Sequence, residues 1–238
     1  MKIILTINNL ITKCKEYYKT SKKAKEIKRS WSKLEDVSFN HLKESDLVKN
    51  LSSNSVCIDC GANVGRISEL FAKSGARVYS FEPNPLCLNV LKRRVKKYPN
   101  VEVIEKGVLD KACPMKLYHS DLTNADSEFF SQSSSICATK DNVNTENFIE
   151  IECIDLCSFI KDLIDKLGIS SIDILKMDVE GAEFAILEKM IEDGLYKKIK
   201  YILVETHDET IPEIQEKAKK VRELIISNDI KNINLDWV

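Results

Sequence analysis

Asp59-Cys60-Gly61-Ala62-Asn63-Val64-Gly65 joins a short β-rich run, Val56–Asp59, to a helical stretch, Val64–Ser74, which Gly75 closes. Glycines at 61 and 65 let the backbone come close to a ligand and let the following helix sit tight against its strand. Working outward, Arg77–Phe81 reads as a second strand. Glu82-Pro83-Asn84-Pro85 reads as the start of a helix running to about Lys97, and Val101–Ile104 as a third strand. Strands alternating with helices imply a parallel sheet covered on both faces.

The same alternation resumes later. Phe148–Cys153 is a strand and Asp155–Leu167 a helix ended by Gly168. Ile172–Met177 and Tyr201–Val204 are strands, separated by a helix over Ala182–Ile191. Pro212–Ser227 is a helix, and Ile230–Trp237 alternates as a last strand would. Between the two halves, residues 114–119 read as a strand, while residues 120–147 are rich in Ser, Asn, Asp and Thr and read as a long substrate or lid loop. Ser45-Asp46 starts a short helix carrying Leu47, Val48 and Leu51. The domains expected are a basic helical extension over residues 1–44 and one α/β domain over residues 45–238.

Charge is divided unevenly. The net charge of the 238 residues is -1, yet residues 1–33 hold ten Lys/Arg against two Asp/Glu, and the remainder hold 26 against 35. The basic start reads first as a solvated helix face. Contact with an acidic surface, a partner or a membrane periphery is the alternative. The apolar run Ile3-Ile4-Leu5-Thr6-Ile7 is cut by Asn8 and Asn9 with no small-residue cleavage site, and no stretch approaches the ~20 apolar residues of a membrane span. A soluble chain is expected. The eight cysteines lack a metal-finger spacing, and Cys57-Ile58-Asp59-Cys60 ends a strand, whereas a redox pair opens a helix. Reduced thiols in a cytoplasmic protein follow.

In an open parallel sheet, ligands bind beyond the carboxyl ends of the strands, where strand order reverses. Four predicted strands end in acids: Asp59, Glu82, Asp178-Val179-Glu180-Gly181, and Glu205-Thr206-His207. Glu82, 23 residues after Asp59, is placed to accept hydrogen bonds from a ribose diol. A nicotinamide dinucleotide fits less well. The turn lacks the GxGxxG order and any basic residue, and an acid immediately before the glycines suits an ammonium better than a diphosphate.

Three blocks, Asp59–Gly65, Phe81-Glu82-Pro83-Asn84-Pro85 and Leu175-Lys176-Met177-Asp178-Val179-Glu180-Gly181-Ala182-Glu183, together with Ile154-Asp155-Leu156, resemble the signatures of the FkbM family of methyltransferases over residues 45–210. The resemblance implies a Rossmann-like class I methyltransferase fold, α/β with a mostly parallel sheet and helices on both faces. It also implies S-adenosylmethionine as cofactor and O-methylation of a hydroxyl on a small molecule, such as a sugar or natural product, or on a glycan. Carried over by position, Asp59, Gly61, Asn63 and Gly65 line the methionine moiety, Glu82 meets the ribose, Asn84 lies near the adenosine, and Gly107 and Val108 border the adenine. Asp178, Glu205 and His207 are expected beside the methyl group, with His207 or Asp178 as general base. A version in which Asp178, Glu205 and His207 hold magnesium or manganese is the less favoured one.

Other readings stay open. Glu180 and Glu183 can serve only the dipole at a helix N-terminus. His41 and His119 are expected to be structural or exposed. A non-catalytic binding module is the main rival. A nucleic-acid methyltransferase is another, disfavoured because no Asn/Asp-Pro-Pro-aromatic block follows the Ile172–Met177 strand; no nucleic-acid partner is therefore expected. That fold ends with an antiparallel hairpin strand for which this chain has no second candidate. The uncovered edge suggests a homodimer or coverage by the N-terminal helices.

Overall fold

The computed structural model describes residues 39–120 and 143–237. The basic extension up to residue 38 therefore lies outside the described residues, and so do residues 121–142 of the lid expected over 120–147. After a helical stretch at 39–44, the elements are α1 (Asp46–Lys49), β1 (Val56–Cys60), α2 (Arg66–Lys73), β2 (Arg77–Phe81), α3 (Pro85–Val95), β3 (Val101–Ile104) and β4 (Gly107–Leu109). Then come β5 (Cys113–Ser120), β6 (Val143–Asp155), α4 (Leu156–Leu167), β7 (Ile172–Met177), α5 (Glu183–Glu192), β8 (Ile199–Val204), α6 (Gln215–Ser227) and β9 (Ile233–Asn234). No described helix is long and apolar enough to cross a membrane.

Six strands form the main sheet in the order β3-β2-β1-β7-β8-β9, every neighbouring pair parallel. This is a Rossmann-like doubly wound sheet, and its order reverses between β1 and β7. Strand residues alternate between two cores. Ile58, Tyr79, Leu175 and Ile202 pack with α4, α5 and α6. Cys57, Val78, Ile174 and Leu203 face Phe71 of α2 and Leu42. The β1 strand is buried at all five positions, as its apolar run requires.

Local signals fix the helix ends. The Asn84 side chain accepts the Leu86 N–H, with Pro85 in the first turn of α3. Asp155 caps α4 by accepting the Ser158 N–H, and Gly168 ends it in the left-handed conformation, φ 64°.

Two expectations are corrected. Residues 143–147, read as loop, belong to β6, which pairs antiparallel with β5 and parallel with β4 in a second, three-stranded sheet. The polar composition of 143–147 hides a strand whose first residue, Val143, pairs with Ser120 of β5. The last strand shrinks to Ile233–Asn234, and it adds parallel to β8. Among the described residues the main sheet has no antiparallel member. The exposed His41 stands as expected.

Candidate functional site

The reversal point between β1 and β7 opens into a cavity of about 620 Å³, its mouth included. Asn63, Glu82 and Asn84 line it from the ends of β1 and β2, Asp178, Val179 and Glu180 from the end of β7, and Gly61 lies between them against Asp178. Gly107 and Val108 of β4 supply a side wall, joined by Leu117, Ile151 and Cys153 from the second sheet. Sequence reasoning missed that apolar wall, since it depends on how a distant hairpin folds back.

The turn is shaped by close approach. A Cβ on Gly61, at φ 71°, would stand 1.7 Å from the carbonyl oxygen of Asp178. Asn63 adopts φ 54° and, across the cavity, Glu180 adopts φ 57°. Asn tolerates the left-handed region, whereas a glutamate enters it rarely, so the strained residue here is Glu180.

Glu82 is buried at the end of β2 and fastened by main chain. The Asn63 N–H donates to its Oε2 at 2.7 Å and the Asn84 N–H to its Oε1 at 2.8 Å. Burial pushes its pKa up to about 7, against the pull of those two N–H groups. Beside it, Asn63 Oδ1 is buried with no hydrogen-bond partner among the described residues.

Asp59 and Gly65, both expected on the ligand, stand away from the cavity wall. Asp59 shares its face of β1 with Cys57 and points beneath α2, fully buried. Its Oδ2 accepts the Ser68 hydroxyl at 2.6 Å, and Ser80 donates to Ser68 in turn. Gly65 is the N-cap of α2, and a Cβ there would meet Leu91 Cδ1 at 2.5 Å. Its role is helix packing.

Beside Asp178 and Glu180, His207 collects carboxylates. Its Nδ1 lies 2.8 Å from Glu183 Oε1, and its Nε2 lies 3.3 Å from Glu180 and 3.8 Å from Asp178. Glu183 is fully buried and accepts the N–H groups of Val179 and Gly181. It therefore holds the imidazole as well as capping its own helix start, a role a sequence motif alone does not reveal. Burial lowers the His207 pKa, but the charges of Glu180, Glu183 and Asp178 outweigh it and lift the value to about 10. Glu205, expected beside the methyl group, is raised to about 8 by the Asp178 charge and by burial. Among the described residues, the three donors within 4.8 Å of one another are Asp178, Glu180 and His207, so Glu180 takes the position expected of Glu205 in a metal set.

The profile of the Methyltransferase FkbM domain matches residues 59–231. Methyltransferase sdnD of Sordaria araneosa is 26% identical over 181 residues, covering 67% of this chain and 69% of that protein. Ribosomal RNA small subunit methyltransferase A of Thermotoga petrophila is 42% identical over 53 residues, which is 22% of this chain and only 20% of that enzyme. Among solved structures, precorrin-6y C5,15-methyltransferase from Geobacter metallireducens aligns over 79% of this chain and 67% of its own, with 15% identity and a TM-score of 0.38.

Proposed function

The chain belongs to the FkbM methyltransferase family, and on that premise we propose that it moves a methyl group from S-adenosylmethionine to a hydroxyl of a sugar, glycan or natural product. The observation that carries this is the paired polar end of the cavity: the Glu82 carboxylate, pre-set by two backbone N–H groups, beside the orphaned Asn63 Oδ1. Two acceptor groups suit the ribose diol and the ammonium of such a cofactor. Gly107 and Val108, with the apolar wall of the second sheet, suit a flat adenine. The cofactor supplies an electrophilic methyl group.

The chain then has three tasks: to hold the acceptor oxygen in line, to keep water out, and to take a proton. The carboxylates of Asp178 and Glu180 are the destination for that proton, beside the His207 imidazolium that Glu183 orients through Nδ1. Four carboxylates near the reaction centre disfavour a polyanionic acceptor, so a nucleic acid is the weaker substrate. The described cysteines are all free, in keeping with a cytoplasmic setting.

A divalent cation on Asp178, Glu180 and His207 is a second reading, favoured by the proximity of those three donors. Loss of activity with a chelator, restored by magnesium, would select it over the metal-free version.

Calorimetry with S-adenosylmethionine tests the cofactor. A folded chain that shows no binding at millimolar ligand would sink the enzyme reading in favour of a binding module. Transfer of a labelled methyl group to hydroxylated small molecules is expected. Labelling of RNA or DNA alone would overturn the choice of substrate.

A further inference from the structure

A lysine in the middle of an apolar strand is anomalous, because an ammonium stripped of water must be both paired and hydrogen-bonded. Lys176 lies between Leu175 and Met177 of β7 and is only 4% exposed. Strand register sets Asp59 between Ser80 on one side and Lys176 on the other, on the face covered by α2. The Lys176 Nζ donates to the Gly61 carbonyl at 2.8 Å and lies 3.4 Å from the Cys60 carbonyl. It stands 3.5 Å from both Asp59 Oδ1 and Asp178 Oδ2. One ammonium therefore touches the end of β1, the glycine turn, and the first residue beyond β7.

We propose that Lys176 is a positioning residue: by fastening the Gly61 carbonyl to the end of β7, it fixes the separation between the glycine turn and Asp178. The proposal builds on the methyl-transfer reading, since those two features face cofactor and acceptor respectively. A plainer role is counter-ion to the buried Asp59. The distances argue against that as the whole account. The shortest contact of the ammonium is with the turn, while Asp59 Oδ1 is left without a hydrogen bond. The separation matters because the turn is already pressed on its neighbour, with Gly61 too close to the Asp178 carbonyl to admit even a methyl group.

Lys176→Met alone leaves Asp59 buried opposite no cation and can unfold the chain on that ground. The deciding variant is Asp59→Asn/Lys176→Met, which removes both charges and is compared with Asp59→Asn. Two readouts are taken: amide hydrogen exchange without ligand, and affinity for S-adenosylmethionine. Amides of residues 61–65 and 178–181 are expected to exchange roughly tenfold faster in the double variant, and affinity to fall by a similar factor. Asp59→Asn/Lys176→Gln, which keeps a donor without charge, is expected to recover part of both. Exchange and affinity equal to those of Asp59→Asn would overturn the proposal and leave Lys176 a counter-ion. If the unaltered chain fails to bind the cofactor, the methyl-transfer reading falls, while the exchange comparison still decides the role of Lys176.

Discussion

The two ends of the cavity solve the problem of a buried carboxylate in opposite ways. Glu82 is satisfied by main chain, one N–H to each oxygen, so its position is settled before any ligand arrives. Asp178, Glu180 and Glu183 instead crowd around one imidazole and raise its pKa, and the Asp178 charge, with burial, raises that of Glu205. A backbone-held acid is suited to recognising a fixed shape. A cluster with excess negative charge is suited to receiving a positive group, and a sulfonium is one such group.

The most severe way to break this contrast is to strike the point where both ends meet. Gly61→Ala would drive a methyl group into the Asp178 carbonyl at an unfavourable φ, and is expected to lower stability by about 4 kcal/mol or more in chemical denaturation. A variant as stable as the parent would show that the ends are not wedged together. Next comes His207→Gln, which should slow turnover about a hundredfold or more while cofactor affinity stays within about threefold. Turnover at the parental rate would remove His207 from the reaction.

Glu82→Gln acts on the other end. It should weaken S-adenosylmethionine binding by roughly ten- to fiftyfold, with turnover at saturation little changed. If turnover fell instead and affinity held, the assignment of the two ends would be reversed. The smallest effect sharpens the comparison through pH. With the Glu82 pKa raised to about 7, the empty site binds a proton below that value, and a ligand that needs the carboxylate must displace it. Affinity in calorimetry should therefore rise with pH through about 7 and level off above it, by at most about tenfold per unit. Glu82→Gln should flatten that dependence.

The parts readable in sequence are those governed by near neighbours. Arg77–Phe81, Val101–Ile104 and Ile172–Met177 appear as strands at the residues expected, because an apolar run bounded by Gly, Pro or Asn carries its own limits. Glu82 and Asn84 could be placed for the same reason. Asp59 could not, since the acid at a strand end faces either the ligand or the sheet's underside, and one residue of alternation decides which. Lys176 resembles a surface lysine until its register with Asp59 is known. Glu183 looks like a helix-dipole acid until His207, distant in sequence, is brought to it. The start of β6 was hidden because Val143 pairs with Ser120 from within a polar stretch that carries no strand pattern of its own.

That second sheet has a consequence for how such a chain can diversify. Ser120 and Val143 are paired across β5 and β6, so these two described ends stand side by side. Two ends held that close can be bridged by connections of different length, since each doubling of a flexible connection costs only about 0.6 kcal/mol. The strands that carry Glu82 and Asp178 pair elsewhere and need not shift. The paired ends are thus a graft point: chimaeras joined at Ser120 and Val143 are expected to leave the strands that line the cavity where they are.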